Sequence, residues 1–268
     1  MDIKLKGKSW GITTFFQLIT LIITISIFIK AIADIDPAYD TWGYHLPFAA
    51  RIWGIVPLEQ FITELPRFDG FTLFGEFLQG FFWWITGWVQ AANLVGFFSI
   101  VLYCWFLKAY WQIPVYYSAI ALLAIPLVQT HATSCYVDLP ANIFLSILIL
   151  MTYLIYLKKD READNFPNLL IIIFSAAAAA NTKPQIIPLV FLVLCFAGSR
   201  LLWLRWQKIK KEKSSPTKLI TFFLSLCLAS ILIFATPIKN IALYGNPFYP
   251  VRIEIAGKVL NHKLGLYN

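Results

Sequence analysis

Apolar runs organise the chain, at about 11–33, 71–88, 89–109, 114–131, 137–157, 167–182, 184–204 and 217–237. None alternates with a period of two; Leu189 to Ala197 is apolar without a break, so the pattern of a membrane β-barrel is missing. Backbone N–H and C=O groups in hydrocarbon are satisfied only within their own segment, and runs near twenty residues match a bilayer crossed as helix. The pattern predicts an all-α, polytopic membrane protein with residues 1–268 in one membrane domain. Run 71–88 is short and carries Gly75, Glu76, Gly80 and Gly87, which predicts an interfacial or re-entrant helix. Stretch 167–204 reads as two spans broken at Asn181-Thr182-Lys183-Pro184, since Pro184 ends a helix and Lys183 needs water or a partner.

Charge sets sidedness. Basic residues cluster at Lys4, Lys6 and Lys8, at Lys158, Lys159 and Arg161, and at Arg205, Lys208, Lys210, Lys211, Lys213 and Lys218. Placing all three clusters on the cytoplasmic side gives seven spans, about 11–33, 89–109, 114–131, 137–157, 167–182, 184–204 and 217–237. The N-terminus is then cytoplasmic. An outer loop 34–88, segments 132–137 and 181–184, and a C-terminal tail 238–268 lie outside. Of the 22 basic residues this puts 14 inside, and of the 14 acids it leaves 9 outside. The orientation rule does not demand that outer set of carboxylates. The first run is longer than a signal-peptide core, and Lys30 sits beside the small-residue site Ala31-Ile32-Ala33, so it reads as an uncleaved anchor.

Composition excludes other classes. The chain is 59% hydrophobic and 13% charged, against roughly a quarter charged in soluble domains. Its net charge of +8 comes from residues at helix ends, so no nucleic-acid partner is expected. Cys104, Cys135, Cys195 and Cys227 are widely spaced, which offers neither a disulfide framework nor a cysteine metal site. No repeat of 20–50 residues and no inverted pair of broken helices appears, which counts against a transporter.

The candidate chemistry lies on the predicted outer side. Asp40 opens Asp40-Thr41-Trp42-Gly43-Tyr44-His45-Leu46-Pro47; Pro47 suits the start of a helix to about Trp53. An aspartate beside aromatics is a candidate general base, and a loop acid or helix cap is the alternative. Asp138, in Tyr136-Val137-Asp138-Leu139-Pro140, reads as an N-cap or as a second site carboxylate. Glu76, among Phe74, Phe77 and Phe81, should seek a cation or a metal. His45 and Glu76, with Asp138, are candidate ligands of a divalent ion. Arg51, Lys183 and Lys239 are candidate phosphate binders, with snorkelling to the interface as the alternative.

Together these motifs resemble the GT-C superfamily of membrane glycosyltransferases, in the branch of protein O-mannosyltransferases and lipid A aminoarabinose transferase. Asp40 to Pro47 is similar to that branch's Asp-x-x-x-Tyr-His-Leu-Pro, and Tyr136 to Pro140 to its second acidic motif. Thr182-Lys183 resembles its Thr-Lys hairpin. Lys239-Asn240 with Gly245-Asn246-Pro247-Phe248-Tyr249-Pro250 resembles its Arg-Asn and Gly-Asn-Pro-x-Tyr-Pro loop. The resemblance implies transfer of a sugar from a polyprenyl-phosphate donor to an acceptor at the outer face of a bacterial plasma membrane. Asp40 and Asp138 would be catalytic, Asp40 as general base on the acceptor or as a metal partner and Asp138 in support of the same site, and Lys183 or Arg51 would hold the donor phosphate. Family members are usually longer, so the resemblance also implies an N-terminal half: a truncated gene product, a fragment, or a half that needs a partner subunit supplying the rest. The alternative is a non-catalytic scaffold or lipid-glycan binding subunit.

Overall fold

The computed structural model describes residues 9–34, 36–57, 65–157, 165–212, 216–251, 254–255 and 258–259. The clusters at Lys4–Lys8 and Lys158–Arg161, and Lys213, lie outside the described residues. The described chain is helical apart from a two-residue hairpin pairing Glu254–Ile255 with Lys258–Val259.

Among the described residues, four helical stretches are long and apolar enough to cross a membrane: Gly11–Ala33, Val89–Trp111, Asp138–Leu157 and Pro184–Lys208. Two bent helix pairs raise the number to six if each is one span. The apolar helix Phe166–Thr182, at 17 residues, is shorter. The described residues are therefore predominantly helical, with helices suited to a membrane.

Two expected straight spans are bent, and proline explains both. Run 114–131 forms Val115–Leu123 and Pro126–Ala132 at 99°. Pro126 lacks an N–H and pushes Ile125 into extended backbone (φ −90°, ψ 115°). The Gln129 side-chain amide then donates to the Leu123 carbonyl left over at the break. Run 217–237 continues past its expected end: Phe223–Ile233 and Ala235–Tyr244 meet at 70°. Pro237 has no N–H for the Ile233 carbonyl one turn earlier. Asn181 Nδ2 donates to that carbonyl at 3.0 Å, and Asn181 Oδ1 accepts from the Thr236 hydroxyl at 3.1 Å.

The chain divides into two compact units, residues 1–61 with 76–140, and residues 62–75 with 141–268. In the first, helix α1 (Ser9–Ala33) packs with α5 (Leu94–Trp111), α6 (Val115–Leu123) and α7 (Pro126–Ala132). Gly96 lets α5 approach α7 at backbone distance; a Cβ there would lie 2.2 Å from the His131 carbonyl oxygen. Elsewhere α1 exposes Phe15, Leu18, Ile22 and Ile25, the surface expected of a helix facing lipid. Helix α2 (Leu46–Trp53) lies on α4 (Phe74–Thr86), the helix of run 71–88. Gly80 leaves room for it, since a Cβ would meet the Trp53 ring at 2.3 Å and the Ala49 carbonyl at 2.7 Å. Trp53 stacks on Trp84 and donates its indole N–H to the Phe77 carbonyl at 2.8 Å.

In the second unit, α9 (Phe166–Thr182) packs on α10 (Ile187–Glu212) and α11 (Pro216–Ile233). Buried Ala176, Ala178, Ala179 and Ala180 permit that approach. Helix α12 (Ala235–Tyr244) ends at Gly245, whose φ of 70° closes it in the left-handed conformation.

Candidate active site

The site of the first unit is built on buried polar braces. Asn93 Nδ2 donates to the carbonyls of Ala31 and Asp34 at 3.1 Å each, covering orphan carbonyls at the end of α1. Its Oδ1 accepts the Cys135 thiol at 3.1 Å. Asp36 is buried with its carboxylate fully used. One oxygen accepts the Ala38 N–H at 3.0 Å; the other accepts the Cys135 N–H at 3.0 Å and the Thr41 hydroxyl. Gln79 Nε2 donates to the Cys135 carbonyl at 2.6 Å. Both backbone groups of Cys135 are therefore held by side chains, from the loop after α1 and from α4. That fixes the strand of chain leading three residues on to Asp138.

Residues 41–45 form a π-helical turn that runs into α2, with Pro47 in the first turn of α2. The turn buries His45 and leaves Asp40 and Tyr44 half-buried. His45 Nδ1 donates to Glu76 Oε1 at 2.7 Å, and both side chains are nearly sealed from solvent (4% and 5% exposed). Glu76 Oε2 is buried without a hydrogen-bond partner among the described residues. Glu76 is thus the apolar-flanked acid that finds its cation-capable partner 31 residues earlier.

Tyr44 is the meeting point. Burial comes first, then the charge of Asp40 and the hydrogen bond of the phenol to it, then the charges of Glu76 and Asp138; all push the phenol up from its ordinary value of 10.0. Asp40, Glu76 and Asp138 thus act on one hydroxyl, which stays protonated and serves as a donor. Burial, with the charges of Asp36 and Glu76, also raises the Cys135 thiol, which makes it a hydrogen-bond donor and not a nucleophile.

Asp138 opens α8 (Asp138–Leu157); its carboxylate lies in the first turn, where the helix dipole favours negative charge. Arg51 is half-buried in the last turn of α2, in the same unit. Lys183 belongs to the second unit, where it is the C-cap of α9 in extended backbone. Lys239 donates its ammonium to the Asp69 carbonyl, a specific bond in place of snorkelling. Among the described residues no group of three His, Cys, Asp or Glu side chains is placed to hold a metal, so His45 and Glu76 form a pair without a third ligand of these types.

Sequence reasoning missed Tyr44 and Asp36 as organisers. Tyr44 stands four residues after Asp40, the spacing that meets on one helical face, and the π-helical turn over residues 41–45 is what brings the two together. In the second unit, Asn240 Nδ2 donates to the carbonyls of Gly70 at 2.8 Å and Tyr249 at 3.2 Å. Asn246 closes its own loop, donating to the Val251 carbonyl at 2.6 Å and accepting the Phe248 N–H at 2.9 Å. The asparagines of the Lys239-Asn240 and Gly-Asn-Pro motifs thus hold backbone. Against family models, curated proteins and solved structures, the chain finds no match.

Proposed function

We propose that the chain is a GT-C-type glycosyltransferase that moves a sugar from a polyprenyl-phosphate donor to an acceptor at the outer face of a bacterial plasma membrane. The single observation that carries this reading is the Tyr44 phenol, hydrogen-bonded to Asp40 and raised further by the charges of Glu76 and Asp138. It lies in the loop directly after α1, with one Glu76 oxygen unpartnered among the described residues. Buried acids are costly and are kept where chemistry uses them. The proposed topology has seven spans. It counts runs 114–131 and 217–237 and the short helix Phe166–Thr182 as crossings, with the N-terminus cytoplasmic and segment 238–268 outside.

In the proposed reaction Asp40 takes the proton of the acceptor hydroxyl as that oxygen attacks the anomeric carbon. The bond from that carbon to the phosphate oxygen breaks, and polyprenyl phosphate leaves with the electron pair. The Tyr44 hydroxyl orients Asp40. Asp138 and Glu76 stabilise the positive charge that develops on the sugar ring, and Arg51 holds the leaving phosphate. Asp40→Asn should reduce sugar transfer by about 10²- to 10⁴-fold, the range for a lost general base, while membrane insertion stays intact. Full transfer by that variant removes Asp40 as the base.

A further inference from the structure

The first unit holds a cavity of about 270 Å³ where α1, α5 and α6 meet, apart from the carboxylates around Tyr44. Ile100, Cys104, Ala119 and Leu123 form its buried floor, with Thr20 and Thr24 on the α1 side. Among the described residues no charged side chain lines it. On one side the wall is exposed, at Val101 (42%), Trp105 (62%) and Val115 (38%). Phe98, Val101 and Trp105 make one exposed apolar stripe along α5, at the three- and four-residue spacing of a helix face. The cavity therefore opens sideways through the outer surface of a helix that belongs to the membrane-length stretch Val89–Trp111. Its depth follows from helix geometry. Thr20 and Thr24 flank the midpoint of the span Gly11–Ala33, within about 3 Å of it at 1.5 Å rise per residue. A span of that length places them at the middle of a hydrocarbon core about 30 Å thick.

Packed interiors leave few voids larger than a water molecule, so an opening of this size calls for an occupant. Water does not suit it. A buried water needs two to four polar partners, and the Thr20 hydroxyl is already spent on the Phe16 carbonyl at 2.8 Å. Between helices in lipid, van der Waals contact is the main source of cohesion, and a hydrocarbon chain restores the contacts that the gap forfeits. What lies outside the mouth at that depth is acyl chain. A cavity of about 150 Å³ admits a benzene ring, so this one has room for about ten carbons. No charged group lines the cavity or its mouth to select a headgroup, so occupancy follows abundance, and the abundant chain is that of bilayer phospholipid. We propose that this cavity binds one phospholipid acyl chain, whose end completes the packing of α1, α5 and α6 at the bilayer midplane. Binding here does not depend on the transfer reaction.

The test uses the full chain in phosphatidylcholine nanodiscs, with a minor share of the lipid carrying a diazirine near the end of one acyl chain. After illumination, mass spectrometry maps the labelled residues. Cys104 is 3% exposed and lines the cavity; Phe106 is 3% exposed on the same helix and does not. Cys104 should be labelled about tenfold more than Phe106, because a packed interior admits no chain. Ala119→Phe fills the cavity from its floor, and Val101→Trp closes its mouth from an exposed position. Each should bring Cys104 labelling down to the level of Phe106, while exposed Leu18 is labelled as before and helical circular dichroism is retained. If Ala119→Phe does not fold, Val101→Trp decides alone. Unlabelled polyprenyl phosphate, added at the mole fraction of the probe, should leave Cys104 labelling unchanged, because bulk phospholipid outnumbers it. Cys104 labelled no more than Phe106, or labelled equally in wild type and a folded variant, overturns the proposal. Displacement of the probe by the polyprenyl phosphate overturns it as well, since the cavity would then be an isoprenoid site.

Discussion

The His45–Glu76 pair gives the sharpest stability prediction. Its Nδ1···Oε1 distance is 2.7 Å and its side chains are 4% and 5% exposed, so it is shielded from the screening that makes surface pairs weak. Removing one member of a buried pair costs about 3–5 kcal/mol, because the survivor is left uncompensated. Glu76→Ala strands the imidazole and should cost that amount. Glu76→Gln keeps an acceptor for Nδ1 and loses only the difference between a charge-assisted and a neutral hydrogen bond, about 1–2 kcal/mol. At about 2–4 °C per kcal/mol for a domain of this size, Glu76→Ala should lower the apparent melting temperature by about 6–20 °C. The glutamine variant should lose about a third as much. The assay is intrinsic-fluorescence melting in one detergent at one scan rate. The double variant His45→Ala with Glu76→Ala should cost less than the two single changes added, by at least about 1 kcal/mol. A Glu76→Ala loss below about 1 kcal/mol, or strict additivity in the double variant, refutes the view that this bond pins the π-turn to α4.

The remaining predictions concern the same framework. Tyr44 has its folded pKa raised above the ordinary 10.0, so its contribution is whole below pH 10 and is lost as pH rises through the folded value. Melting temperatures from pH 9 to about 11 should therefore fall less in Tyr44→Phe than in wild type, and parallel curves would disprove the raised phenol. Gly96→Ala puts a Cβ 2.2 Å from the His131 carbonyl and should cost about 1–3 kcal/mol by overpacking. Gly198→Ala meets nothing within 4 Å and should be neutral or stabilising by up to about 1 kcal/mol; matched losses in the two variants would contradict the packing of α5 on α7. Asn181→Ala leaves the Ile233 carbonyl without its donor and should cost about 1–3 kcal/mol, measured by the same melts.

Much of the helical order was legible because lipid allows little else: a long apolar run between charged ends has to be helix. The bends were harder to read. Pro126 and Pro237 were visible, yet each sat in or beside an apolar run that satisfied a straight span, and the groups that accommodate the breaks, Gln129 and Asn181, are ordinary amides in sequence. Run 71–88 was legible as something other than a span, since Gly80 and Glu76 have no place facing lipid; Gly80 makes room for Trp53 and Glu76 meets His45. Within the site, Glu76's need for a partner could be reasoned from its apolar neighbours. The division of labour between Asp36 and Asp40 could not. Both are acids in one loop, and only the fold shows Asp36 held by backbone and hydroxyl donors while Asp40 takes the Tyr44 phenol. Tyr44 was hidden for the same reason, because its relation to Asp40 exists only once the segment coils.

The most direct test of sugar transfer is turnover by the purified 268-residue chain in proteoliposomes, using labelled polyprenyl-phosphate sugars with and without divalent cation. The account predicts release of polyprenyl phosphate coupled to labelling of an acceptor in the wild type, lost in Asp40→Asn and Asp138→Asn proteins that still insert and melt normally. No turnover by the wild type under any condition, or equal turnover by all three proteins, contradicts it.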